Sequence, residues 1–178
     1  MNLYFRLLLA FIQSRLTSRL RIQETGRREF VVLPTDIDLY GHMNNGRYFQ
    51  VMDVARFSWL LRTGIVTVLR KNRWSALLGG GKIQFRRALS LFQRYTVSTR
   101  LLCWDERWYY LHHRFEDRAG RLVADGVVRA AFHSGKGWVR TADAMPQIDA
   151  SAINAPMPAM VRDWLQSEST DIPMKLVG

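Results

Sequence analysis

Leu33-Pro34-Thr35-Asp36-Ile37-Asp38-Leu39-Tyr40-Gly41-His42-Met43-Asn44-Asn45-Gly46-Arg47-Tyr48 is the stretch on which the reading of this chain turns. Ahead of it, residues 21–33 have strand character and end in Phe30-Val31-Val32-Leu33, after which Pro34 stops regular pairing. Within it, the density of Asp, Gly and Asn over 36–45 calls for a loop. Beyond it, residues 46–62 set Tyr48, Met52, Ala55 and Trp59 near one face at helical spacing, with Asn44 or Asn45 as the cap and Gly64 as the stop.

Downstream, residues 65–71 form a short apolar segment, read as helical, with a basic end at Arg70, Lys71 and Arg73. The period then changes from near 3.6 to near 2 over four runs, 75–88, 93–104, 107–117 and 121–133, which read as antiparallel strands. In the last run Leu122, Ala124, Gly126, Val128, Ala130 and Phe132 hold alternate positions, while Asp125, Arg129 and His133 take the opposite face. Asp105-Glu106 and Arg118-Ala119-Gly120 are short enough for hairpin turns. The order strand, long helix, four strands predicts an α+β fold, a curved antiparallel sheet wrapped around one central helix. Five strands leave open edges, so a homodimer paired through the sheet, or a dimer of such dimers, is expected.

The 178 residues suffice for one domain with a substantial core. Apolar residues make up 48% and charged residues 23%, a balance that excludes a disordered or collagen-like chain. The formal charge of +11 favours an anionic partner, and residues 1–140 alone carry +14. Within an apolar and basic N-terminal segment, 1–20, residues 1–16 form an apolar helix candidate interrupted by Arg6 and flanked by Arg15, Arg19 and Arg21. That stretch is too short to span a bilayer and lacks a small-residue cleavage site, so a cytoplasmic protein is expected. The helix reads either as interfacial, in peripheral contact with anionic lipid, or as cover for the protein's own sheet. Residues 21–140 are the folded domain, and 141–178 a tail rich in Pro, Ala and Ser with one short helix near 159–166.

Other chemistries fail on spacing. Gly79-Gly80-Gly81-Lys82 lacks the upstream glycine and following Ser or Thr of a phosphate loop, and reads as a bulge or close backbone approach. His112 and His113 are adjacent and point to opposite faces of a strand, so no metal site is expected. Cys103 reads as core packing. Lys82, Arg86, Arg87, Arg107, Trp108 and Tyr110 would have to converge for a nucleic-acid surface, and nucleic acid is not the expected partner.

The opening stretch resembles the entry motif of hotdog-fold acyl-CoA thioesterases of the 4-hydroxybenzoyl-CoA thioesterase-like group, with Asp36, Asp38, Gly41, His42, Asn44, Asn45 and Tyr48 in register. Within that superfamily it is similar to the subgroup like thioesterase superfamily member six, which shares the apolar N-terminal segment. The resemblance implies a hydrolase of acyl-CoA or acyl-carrier protein, without metal or bound cofactor beyond the CoA of its substrate. It puts Asp38 in the catalytic aspartate position, as general base or nucleophile, and the Asn45 backbone N–H at the thioester oxygen. His42 matches a catalytic position in plastid acyl-carrier-protein thioesterases, although Tyr40 stands where those enzymes have Asn. Gly41, Asn44, Tyr48, Arg86 and Arg87 complete the expected substrate site, with Arg73 and Arg94 as further partners for the CoA phosphates. The alternative is a non-catalytic hotdog protein that binds acyl-CoA or lipid at a membrane surface. Physically, a carboxylate just ahead of a helix N-terminus, whose free N–H groups can polarise a carbonyl, suits ester cleavage.

Overall fold

The computed structural model describes residues 3–171; Met1 and Asn2 of the expected N-terminal helix and 172–178 of the tail lie outside the described residues. Helix α1 (Leu3–Leu16) leads to strand β1 (Gly26–Val31), then to α2 (Asn45–Arg62) and α3 (Ile65–Asn72). Strands β2 (Ser75–Phe85), β3 (Arg94–Trp104), β4 (Trp108–Asp117), β5 (Leu122–Ser134) and β6 (Gly137–Val139) follow, and α4 (Thr141–Ile148) and α5 (Ala159–Asp171) close the chain.

One antiparallel sheet runs in the order β1-β3-β4-β5-β2, with β6 paired to the end of β5. It curls around α2, as the α+β reading predicts. Tyr48, Val51, Met52, Ala55 and Trp59 of α2 are buried against Tyr95, Val97, Tyr109, Leu111, Phe115, Ala124, Val128 and Phe132 of the sheet. Such burial supplies most of the stability of an amphipathic helix, at about 1.5–3 kcal/mol per large apolar side chain. Close approach depends on small strand residues: a Cβ at Gly126 would lie 3.1 Å from the Met52 methyl.

The local signals explain the element ends. Asn44 caps α2 by accepting the Gly46 N–H at 2.9 Å, and Gly64, at φ 79°, takes the left-handed conformation that ends the helix. In the β3–β4 turn Asp105 accepts the Arg107 and Trp108 N–H groups, and in the β4–β5 turn Asp117 accepts those of Ala119 and Arg121. The triple glycine is a bulge. Pairing skips Gly79 between Leu78 and Gly80, and a Cβ there would fall 2.2 Å from the Trp108 ring.

Three expectations need correction. The first strand is shorter than 21–33, because the preceding chain is strapped to the end of α2: the Leu20 N–H donates to the Arg62 carbonyl at 3.1 Å and Arg62 Nε to the Ser18 carbonyl at 3.0 Å. The region 141–178 carries more than one short helix, since α4 buries Ala144 and Met145 in the main core. The face of β5 that bears Asp125 and Arg129 is also covered. Helix α5 folds back across it, burying Val161 and Trp164 with Cys103, Tyr110 and Val127 in a second apolar cluster. Arg129 lies there between the Trp108 and Trp164 rings, 5.1 and 5.4 Å from their centroids, and pairs with Glu168 at 2.6 Å.

Helix α1 packs on α2 with Arg6 and Ala10 inward. Its other side presents Tyr4, Phe5, Leu8, Phe11, Ile12 and Leu16 to solvent. Among the described residues, no helix is long and apolar enough to cross a membrane. The basic and aromatic set weighed for nucleic acid does not form one open face, since Tyr110 is buried beneath α5 and Arg107 lies over Trp108 and Trp138.

Candidate active site

The loop between β1 and α2 is folded on itself before it meets anything else. After the short 3-10 turn Pro34–Asp36, Ile37 and Met43 form a bridge, and the Asp38 N–H donates to the His42 carbonyl at 3.0 Å. A tight turn crosses the top, where the Gly41 N–H reaches the Asp38 carbonyl at 3.0 Å and Gly41 adopts φ 77°. Asp38 Oδ1 accepts the Tyr40 N–H at 2.9 Å, so the carboxylate stands half-buried in a fixed pose while Leu39 and Tyr40 project outward. The loop is pinned to the strand approach opposite by the Met43 N–H, which donates to the Leu89 carbonyl at 2.8 Å.

Asp36 holds both ends of this loop. Its carboxylate accepts the Leu33 N–H at 2.9 Å and the Arg6 guanidinium at 2.5 Å, its other oxygen lies 3.9 Å from Arg47 Nε, and its carbonyl accepts the Asn44 N–H at 2.8 Å. Only 2% of Asp36 and 7% of Arg6 is exposed, so this is a buried ion pair. The motif puts Asp36 in register, but nothing in it points to Arg6, whose only sequence signal is a charge inside an apolar helix.

Asp38, His42, Asn45, Tyr48, Arg86 and Arg87 line one cleft of about 400 Å³, completed by Tyr40, Met43, Phe85 and Ala88. The Asn44 oxygen occupies the Gly46 N–H and the Asn44 carbonyl accepts the Arg47 N–H at 2.9 Å. Neither bond uses the Asn45 N–H, the remaining donor of the first turn at the positive end of α2. Tyr48 is buried, edge-on to Phe85 with ring centroids 5.0 Å apart. Burial pushes its phenol up to about 12, against the smaller opposite effect of a hydrogen bond with the Leu89 backbone, so it stays a neutral hydroxyl.

The mouth is basic. Arg86 and Arg87 both donate their backbone N–H to the Val123 carbonyl, at 2.8 and 3.0 Å, which fixes the strand end. The Arg86 side chain reaches Gln84 at 2.7 Å and that of Arg87 the Leu122 carbonyl at 2.8 Å. Neither guanidinium has an acidic partner among the described residues, so both keep net charge for an anion. Gly41 and Asn44 stand in the loop and at the cap rather than on the cleft wall, and Arg73 and Arg94 stand away from the cleft, Arg94 lining a groove beside β1. Phe85 and Ala88 also line the cleft, and no local sequence signal marks them as lining residues.

The arrangement offers a carboxylate, a hydrogen-bond donor at a helix N-terminus and a basic rim around one cleft. Those are the parts needed to polarise a carbonyl, attack it and hold an anionic carrier.

Comparison with known proteins identifies the family and the fold. The family model described as Thioesterase-like superfamily matches residues 32–165. The chain is similar to the protein THEM6 of Xenopus laevis, 40% identical over 48% of this chain and 41% of that protein. It is likewise similar to the protein THEM6 of Drosophila melanogaster, 31% identical over 72% of this chain and 65% of that protein. The chain thus spans about half the length of these curated relatives. Among solved structures, the DHNA-CoA thioesterase of Staphylococcus aureus superposes with a TM-score of 0.62 at 12% identity, covering 83% of this chain and 96% of that one. At that identity the likeness speaks for the fold, which is the hotdog fold.

Proposed function

The chain belongs to the thioesterase-like superfamily, and from that premise we propose that it hydrolyses acyl thioesters in the cleft between the β1–α2 loop and the end of β2. The observation that carries this reading is the shared cleft of Asp38, the α2 N-terminus at Asn45 and the unpaired rim arginines Arg86 and Arg87. In the proposed reaction Asp38 takes a proton from water as the water oxygen attacks the thioester carbon. The Asn45 N–H and the α2 dipole hold the oxyanion, the C–S bond breaks, and the thiolate leaves with the proton returned from Asp38. Direct attack by Asp38, with hydrolysis of the resulting anhydride, uses the same parts. His42 lines the cleft as a second polar group at the carbonyl, and the neutral Tyr48 hydroxyl closes its floor.

The substrate proposed is an acyl-CoA, because two guanidiniums without acidic partners suit the CoA phosphates; an acyl-carrier protein is the other carrier with the same thioester arm. The reaction calls for no cofactor beyond that CoA. We place the protein in the cytoplasm as a homodimer or dimer of dimers paired through the sheet edge at β2. A second reading, an acyl-CoA or lipid binder at the membrane surface, draws on the apolar stripe of α1 beside Arg15 and Arg19.

The test is free-thiol release from acyl-CoAs of graded chain length, aromatic acyl groups included, for the protein and for Asp38→Asn. Turnover is expected to fall by about 100-fold or more in Asp38→Asn while acyl-CoA binding persists. Equal turnover in the two proteins would remove Asp38 from the reaction. Binding without thiol release by either protein favours the second reading.

A further inference from the structure

Helix α1 places a charged side chain where an apolar one would pack. Arg6 is buried between α1 and α2, its guanidinium against Asp36, and its Nε has no hydrogen-bond partner among the described residues. The Tyr95 hydroxyl beside this pair is likewise buried without a partner among those residues. Burying two charges with imperfect satisfaction is a poor route to stability, since a well-packed apolar pair of similar volume is often as good or better. What the pair supplies is a fixed position. Asp36 joins the end of β1 through the Leu33 N–H, the cap of α2 through its carbonyl and Asn44, and the first turn of α2 through Arg47. Asp38 is two residues past this junction and Asn45 follows the cap it holds, so the relative placement of base and oxyanion donor is set at Asp36.

We infer that Arg6 is a positioning residue for the Asp38 loop: α1 reaches across α2 to lock Asp36, and through it the geometry of the cleft. This rests on the hydrolase reading for its kinetic consequence but not for its structural one. Arg6 touches nothing in the cleft and acts through Asp36 alone. The helix that carries it keeps its opposite, apolar side on the surface, so whatever pulls α1 away from α2 also withdraws the lock.

The experiment compares the full chain with Arg6→Met, Arg6→Lys and Lys136→Met, the last removing an exposed charge from the β5–β6 turn, away from α1 and the cleft. Amide hydrogen exchange over residues 33–48 is read beside kcat and KM for thiol release. Arg6→Met is expected to speed exchange in that segment by about tenfold. It should also lower kcat by about 100-fold, the effect of a misplacement near 1 Å, with KM held within about threefold. Arg6→Lys, which keeps the charge, recovers part of both, and Lys136→Met matches the parent. Exchange and kcat at parental values in Arg6→Met would overturn the inference, as would equal loss in Lys136→Met. Should Arg6→Met fail to fold, the same readouts on Arg6→Lys decide: partial loss in both supports the inference, and full parental values overturn it, since the guanidinium contact to Asp36 would then not set the loop. A parent without thiol release sinks the hydrolase reading, and the exchange measurement still decides this one.

Discussion

His113 shows how one buried side chain writes a pH dependence into the fold. It is fully buried, its Nδ1 lies 3.0 Å from Thr99 Oγ1, and its Nε2 has no partner among the described residues. Burial, with smaller contributions from the Arg56 and His112 charges, holds its imidazole well below the ordinary value of 6.5. The ring is therefore neutral in the native state and takes up a proton only on unfolding, so stability falls as pH drops below about 6.5. Between pH 7 and pH 5 the loss from this residue is expected to reach about 2 kcal/mol, read as a shift in urea midpoint that His113→Phe flattens. Gly79 makes a second prediction. Since its missing Cβ is the space filled by Trp108, Gly79→Ala should cost about 1–3 kcal/mol in equilibrium unfolding. Gly79 and Arg6 differ in how far the sequence makes them legible. Three glycines in a strand announce a close approach, whereas an Arg inside an apolar helix, as at position 6, reads as an interruption until its partner at Asp36 is seen.

Among the elements, α2 was legible because its signals are local: an Asn cap, an apolar face at i, i+4, i+7 and i+11, and a glycine stop. The β3–β4–β5 meander was legible for the same reason, since alternation and turn residues lie within each hairpin. Helix α5 was visible as a helix but its destination was not. The outer face of β5 bears Asp125, Arg129 and His133 and has the pattern of a solvated surface; only tertiary packing shows Arg129 clamped between two indoles and paired with Glu168. The docking of α5 can be measured. Trp164→Ala should cost about 3–5 kcal/mol by removing a buried indole and one wall of the Arg129 site. It should also leave the cleft of Asp38 unchanged, because α5 lies on the other face of the sheet. Loss of thiol release without loss of stability in that variant would contradict the separation of the two faces.

At the scale of the whole molecule the sheet has two edges, β1 and β2. The eleven-residue β2 edge leaves Leu77, Leu78 and Phe85 exposed, and Phe85 leads directly to the cleft mouth. Light scattering of the purified chain is expected to give a particle of two or four chains; a monomer with full thiol release would separate assembly from activity. The motif made the fold and half the cleft readable from one contiguous stretch. The opposite wall was harder to read, because it comes from residues 85–88, which no local pattern joins to residues 38–48.

That division has a temporal side. Residues 85–88 are held by β5: Arg86 and Arg87 hang on the Val123 carbonyl, and β2 pairs with β5 from Phe85↔Ala124 to Ser75↔His133. A chain emerging from the ribosome thus carries the residues of the helix cap and the Asp38 turn before it carries those of the opposite wall. The pairing that closes the cleft spans a long loop, which makes it one of the slower steps of folding. The cleft is a late product of biosynthesis, and an incomplete chain that ends before β5 has the Asp38 carboxylate without the wall that faces it.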